Sequence, residues 1–488
     1  MRAPVTTHVA VRNDVGLTPY VSQGPALLAG IAEGPSLAAH RHRLGPAPTP
    51  STDELVEMAR AVDLRGRGGA GFPFAIKLST AARRKAVVVV NASEGEPASH
   101  KDAALITCSP HLVLDGAAAV AHALRTRDVH IAVPSEFPAI RLVLEKALYE
   151  RAEAGERLHV RLHDAAPRFV AGQAQAVLQL LAGRENLPVT AWQPEAVSGH
   201  RGRPTLLSNA ETFAQIGHLA GVGPKRYAAH GTVVEPGTTL LTLRGDGMDP
   251  QVREVAYGTP LEEVLDEAEM LRPLLLGGYH GTWLTPAQLR GLTVSRNDIA
   301  AAGATLGAGV MLPLADGWCP LVRTAALVDY LAGQSAGRCG PCLNGLPAMA
   351  EALRSLVAWW RAGSSGGGAL RAGGTARCLR ASRRHGPSRH LDAPTLSRGG
   401  RLPLPGHLSQ QSRGGARMSE RQLRVDWPAC KAHGLCAELL PEVVSLDEWG
   451  YPIVHEPVTG DVLAMAKRTV KACPTLALRL TQPPPRHS

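Results

Sequence analysis

Three groups of residues in this 488-residue sequence have the type and spacing to do chemistry. Gly66, Gly68 and Gly71, within "LRGRGGAGFPFAIK", carry the G-x-G-x-x-G spacing of a loop whose backbone cradles phosphate. Cys430-x2-His433-x2-Cys436 is followed at a distance by Cys473-Pro474. Ala336-x2-Cys339-x2-Cys342 has Cys378 as the one distant thiolate that could join it. The N-terminus shows no export signal, so clustered cysteines point to metal or redox work rather than disulfides. Cys108 and Cys319 stand alone and are expected as small buried apolar residues.

The glycine loop does not sit where the dinucleotide fingerprint normally does, directly after a strand. The preceding "STDELVEMARAVD" reads as a helix, with a Ser51/Glu54 capping box and apolar Leu55, Met58, Ala59 and Val62. The strand "AVVVVN", ending at Asn91, comes afterwards. Four glycines, Gly66, Gly68, Gly69 and Gly71, bring the backbone close to a ligand and leave N–H groups free for an anion. Lys77 can add a point charge. Asn91, Glu94 and Glu96, at the end of the strand, offer donors and acceptors suited to a ribityl chain, an isoalloxazine edge or a ribose. The plainer alternatives are a glycine-rich turn and an acidic turn.

The elements that must position these groups read as multi-domain α/β. A chain that is 44% hydrophobic and 19% charged is globular, and no apolar run reaches the roughly 18 residues of a membrane helix. Residues 1–50 read as an irregular N-terminal extension. Over 51–235 strands (86–91, 128–133, 158–163) alternate with helices (111–125, 136–154, 170–183), an α/β layer. Short strand-like runs at 237–245, 252–258 and 271–278, with a helix at 259–270, make 236–310 a small mixed β domain. Residues 311–360 are helical. Residues 361–417 hold eleven Arg, no Lys and one acid, Asp392, and so account for the whole net charge of +10. Without periodicity, that segment reads as a disordered linker or as an out-of-frame translation of GC-rich DNA. The rest of the chain is neutral, which argues against nucleic acid as a partner. Residues 418–488 read as a separate domain.

"LRGRGGAGFPFAIK", "VVNASEGEPASHKD", "SPHLVLDG", "RPTLLSNAETFAQI" and "SAGRCGPCLNG" occur in one order, and in that order they resemble the NADH-binding flavoprotein subunit of respiratory complex I and related diaphorase subunits. The resemblance covers roughly residues 40–350. It implies an α/β domain binding FMN and NADH, a β-grasp-like domain and a helical bundle that holds an iron–sulfur cluster. By motif, Gly66, Gly68, Gly69, Lys77, Asn91, Glu94, Gly172, Asn209 and Thr212 would contact FMN, while Phe72 and Glu96 would face the nicotinamide nucleotide. Three departures fall in that pocket: Ser93 replaces an acid, Gln173-Ala174 replaces two carboxylates, and Thr80 stands where an aromatic is expected. The first cluster site keeps Cys339 and Cys342 but has Ala336 in place of a third cysteine, with Cys378 as the remaining candidate. Residues 420–482 are similar to a single-cluster bacterial ferredoxin, an α+β domain. Cys430, Cys436 and Cys473 would hold [3Fe–4S], or [4Fe–4S] with His433 at the fourth iron.

The resemblance implies an NADH:acceptor oxidoreductase, with a quinone or a ferredoxin-type carrier as acceptor. Electrons would pass from NADH through FMN to iron–sulfur centres, leaving by the ferredoxin domain to a cytochrome or another subunit of a complex. Hydride transfer onto FMN needs no catalytic side chain. The alternative is a relay or assembly subunit that no longer oxidises NADH. The expected location is cytoplasmic, with peripheral membrane attachment through partners.

Overall fold

The computed structural model describes residues 8–10, 19–83, 85–156, 158–189, 191, 193–245, 249–337, 341–364, 421–426, 429–430, 435–446, 451–455, 458 and 462–481. The expectations for residues 365–417, and for Cys339, Cys378 and His433, lie outside these residues. Two compact units emerge, one built on residues up to 336 with 346–364, the other on 421–481 with 337–345.

The first unit contains strands β1 (His8–Ala10), β2 (Tyr20–Ser22), β3 (Val87–Asn91), β4 (Asp128–Pro134), β5 (His159–Ala165), β6 (Thr205–Asn209), β7 (Thr238–Leu243), β8 (Gln251–Ala256), β9 (Leu274–Leu276), β10 (Thr282–Leu284) and β11 (Val310–Pro313). Four of them form a parallel sheet in the order β5-β4-β3-β6. "VVVV" forms a central strand because both faces of a parallel sheet are buried, and all four valines are fully inaccessible. Val88 and Val90 belong to the main core with helices Pro110–Ala123 and Ala210–Tyr227. Val87 and Val89 meet Val177, Leu178 and Leu181 of helix Ala174–Leu181 on the other face. The two large helices approach closely at glycine: a Cβ on Gly116 would lie 1.8 Å from the Phe213 carbonyl oxygen. Strand β6, from "TLLSN", was not expected; its alternation is too short to show as a period.

The remaining strands of this unit form one sheet in the order β1-β2-β8-β7-β11-β9-β10. The region expected as a small mixed β domain is thus completed by the N-terminal segment, with β2 parallel to β8. Residues 1–50 are not simply irregular. They also supply a helix, Leu37–Leu44, whose N-cap Ser36 accepts from the Ala39 amide at 3.3 Å. Three-residue strands leave too little pattern to read. The single helix expected at 259–270 is two turns, Leu261–Val264 and Glu267–Met270, because Leu265 is extended and Asp266 opens a new capping box with Glu269. Helices Pro320–Gly333 and Leu346–Ser364 pack together and belong to the same compact unit.

In the second unit β12 (Gln422–Val425) pairs antiparallel with β15 (Leu478–Thr481), and β13 (Val444–Leu446) with β14 (Pro452–Val454). Helices Leu435–Leu439 and Val462–Ala472 cover a core of Leu423, Leu440, Val443, Val444, Ala466 and Leu478. Among the described residues no single helix is long and apolar enough to cross a membrane.

Candidate functional site

The glycine loop joins two helices, Thr52–Ala61 and Phe74–Ala81. Its neck is closed by the Gly66 amide donating to the Phe72 carbonyl at 2.9 Å and the Phe74 amide donating to the Leu64 carbonyl at 2.8 Å. Gly69 (φ 98°) and Gly71 (φ 60°) lie in the left-handed region, which a side chain would strain. Among the described residues the amides of Gly68, Gly69, Ala70 and Gly71 donate to no protein acceptor. A cleft of 620 Å³ opens on this loop, and the C-terminal ends of β3 and β6 supply part of its wall.

A buried ion network fixes the loop from behind. Lys101 Nζ donates to the Arg67 carbonyl at 2.7 Å and to Glu211 Oε2 at 2.7 Å. Glu211 Oε1 accepts from the Leu240 amide at 3.0 Å, tying the β7 sheet to the same point. The Arg67 guanidinium stacks over Tyr257 at 4.9 Å and donates to the Thr238 carbonyl at 3.0 Å. Burial works to lower the Lys101 ammonium, but the charges of Glu211 and Asp102 outweigh it and hold the pKa above the usual lysine range. Asp102 is pushed well above the usual carboxylate range by burial and then by the charge of Glu94.

Most of the residues predicted for a cofactor line this cleft: Gly66, Gly68, Gly69, Phe72, Lys77, Asn91, Glu94, Glu96, Gly172 and Asn209. Their engagements differ. Asn91 Nδ2 donates to the Gly172 carbonyl at 2.7 Å, and Asn91 Oδ1 accepts from the Ser93 hydroxyl at 2.6 Å. Glu94 is bound to the N-terminus of helix Lys101–Cys108, accepting from the Asp102 and Ala103 amides at 2.9 and 3.0 Å. Glu96 accepts from the Tyr279 amide at 3.0 Å, and burial raises its pKa. Asn209 donates to Asp102 Oδ2 and caps helix Ala210–Tyr227 through the Glu211 amide at 3.0 Å. Thr212 is fully buried away from the cleft, its hydroxyl accepting from the Arg67 amide at 2.9 Å. It holds the loop rather than facing a ligand.

Thr80 bonds only its own helix, through the Ile76 carbonyl at 2.8 Å, and does not line the cleft. Aromatic surface comes instead from Phe169 and His280, which meet edge to face at 4.9 Å. Sequence reasoning missed these two, and also Arg67, Lys101, Asp102, Glu195 and Glu211. "SHKD" and "NAE" lay inside the quoted motifs, but nothing local pairs Lys101 with Glu211.

In the second unit Cys430, Cys436 and Cys473 wall one small cavity with Val425, Leu435, Pro452 and Leu478. Burial raises the Cys436 thiol, and the neighbouring Cys430 and Cys473 add to the shift. Of the other cysteine group, Cys342 is half-buried in a π-helical stretch, Pro341–Gly345. Cys319, expected as an isolated buried thiol, is disulfide-bonded. The open amides, the lysine and the glycine cradle fit a phosphate-bearing flavin, and the three thiols in an apolar cavity fit an iron–sulfur cluster.

A family described as the Nuo51 FMN-binding domain matches residues 59–218, and a 4Fe-4S single cluster domain matches residues 423–480. An NADH-quinone oxidoreductase subunit of Escherichia coli (strain K12) is 30% identical over 329 residues, covering 63% of this chain and 73% of that protein. The chain belongs to this family of NADH-quinone oxidoreductase subunits. Its relative in Rhizobium meliloti (strain 1021), another NADH-quinone oxidoreductase subunit, is 28% identical over 326 residues, 63% of this chain and 77% of that protein. An NAD+-reducing [NiFe]-hydrogenase in the H2-reduced state superposes with a TM-score of 0.61 at 26% identity. The superposition covers 72% of this chain and 60% of the hydrogenase chain.

Proposed function

We propose that this chain carries electrons from NADH, through FMN in the cleft, to iron–sulfur clusters, with the C-terminal unit as the exit. The observation that carries the reading is the cleft itself, where four open amides of the glycine loop stand with Lys77, Asn91 and Asn209 on one 620 Å³ cavity. Bound there, FMN supplies the exchange between two-electron hydride chemistry and the one-electron steps of iron–sulfur centres. The chain's own residues bind and orient. The amides of Gly68 and Gly69 and the Lys77 ammonium would hold the phosphate, and Asn91 and Asn209 the polar edge. Glu94 keeps its strand end against helix Lys101–Cys108, and Phe72 and Glu96 would meet the nicotinamide nucleotide. Phe169 and His280 are proposed to give the ring surface that Thr80 does not.

Cys430, Cys436 and Cys473, with His433 as the further ligand, would hold the cluster of the exit domain. The acceptor is proposed to be a quinone or a ferredoxin-type carrier reached within a complex. The test is anaerobic: reconstitute the full chain with FMN, iron and sulfide, then follow absorbance and electron paramagnetic resonance on adding NADH. Bleaching of the flavin band together with a reduced-cluster signal is expected. Reduction by dithionite but not by NADH would replace this reading with that of a relay fed by a partner.

A further inference from the structure

Lys77, proposed above to meet the phosphate, already has protein partners. Its Nζ donates to Glu195 Oε1 at 2.9 Å and to the Leu207 carbonyl at 2.9 Å, so two of its three protons are engaged. Both side chains line the cleft beside the glycine loop, with 21% and 16% of their surface exposed. Glu195 is held in place through its backbone, its carbonyl accepting from the Thr205 amide at 2.9 Å where β6 begins. The carboxylate therefore offsets the Lys77 charge on this side of the glycine loop. An anionic ligand group meets a neutral pair rather than a cation.

We infer that Glu195 competes with the anionic end of the ligand for Lys77 and so sets how strongly the cleft prefers a phosphorylated flavin over an unphosphorylated one. The inference rests on the flavin reading above. A phosphate seated on the loop amides gains the full ammonium only when the Lys77–Glu195 contact opens, and until then the carboxylate repels it. Removing that carboxylate strengthens binding of the phosphate by the size of one unit-charge contact at a partly exposed site, about tenfold. A neutral flavin gains nothing.

The experiment is a titration of the full chain with FMN and with riboflavin, followed by quenching of flavin fluorescence, for the wild type, Glu195→Gln, Glu195→Ala and Lys77→Met. Expected are FMN binding about tenfold tighter in both Glu195 variants, with riboflavin unchanged. The FMN gain should shrink as salt is raised, and Lys77→Met should weaken FMN but not riboflavin, leaving only the preference that the loop amides supply. FMN binding that is unchanged or weaker in both Glu195 variants overturns the inference, because Glu195 would then merely position the lysine. A gain shared equally by riboflavin also overturns it. A wild type that binds FMN while these shifts fail leaves the flavin reading standing, whereas a folded wild type that binds neither flavin removes both.

Discussion

Lys101→Met is the substitution that most directly tests how the glycine loop is held. Lys101 and Glu211 meet at 2.7 Å with 5% and 0% of their side-chain surface exposed, and the same ammonium bonds the Arg67 carbonyl within the loop. Methionine keeps the length of the side chain and removes the charge. Glu211 is then left buried, with the Leu240 amide at 3.0 Å, the Thr239 hydroxyl at 3.3 Å and the Arg67 guanidinium no nearer than 3.9 Å. Breaking one side of such a pair costs about 3–5 kcal/mol, a large share of a total stability that is typically about 5–15. At about 4 kcal/mol the unfolding equilibrium moves roughly a thousandfold. Urea unfolding followed by tryptophan fluorescence reads the loss. Lys101→Met/Glu211→Gln should recover about half of it, because the stranded charge is gone. The pH dependence has a definite sign. The folded pKa of Lys101 is raised, so its contribution is complete below the ordinary value of 10.5 and lost as pH climbs through the folded one. The Lys101→Met deficit should therefore be flat near neutrality and narrow only in alkali. A single-variant loss under about 1 kcal/mol, or a double variant no better than the single, would refute the reasoning.

Cys436→Ser and Cys473→Ala should each abolish or change the cluster signal of the C-terminal unit in electron paramagnetic resonance, while the flavin band of the N-terminal unit is retained. Gly116→Ala should lower the melting temperature sharply, since its methyl would meet the Phe213 carbonyl oxygen at 1.8 Å; overpacking of this kind costs about 1–3 kcal/mol or more. Glu254 is buried and accepts from the Ala26, Leu27 and Leu28 amides and the Thr238 hydroxyl, and burial leaves its pKa raised. Wild-type stability therefore falls as pH rises from the ordinary carboxylate value of 4.5 towards the folded one, so the deficit of Glu254→Gln in urea should be largest in acid and shrink on the way to neutrality.

What could be read from the sequence alone was local. The Ser51/Glu54 capping box is present, with the Ser51 amide donating to Glu54 Oε2 at 2.7 Å, because both partners lie within one helical turn. The unbroken "VVVV" was legible as a strand of an α/β layer, and burial on both faces explains why it shows no polar alternation. The cysteine spacing pointed to a cluster site, and Cys430, Cys436 and Cys473 do share a cavity although 36 residues separate the last two from each other. Ordered motifs were specific enough to name the family. The tertiary structure alone decided the rest. It seated Thr212 behind the loop instead of in the cleft, brought Phe169 and His280 edge to face at the cleft, and joined Tyr20–Ser22 to β8. It also paired Lys101 with Glu211, 110 residues apart, and Lys77 with Glu195, 118 apart. The physical reason is that sequence periodicity reports which face of an element is buried. Which charge lies across from which depends on how the elements close over one another, and that is settled only when the sheets and helices pack.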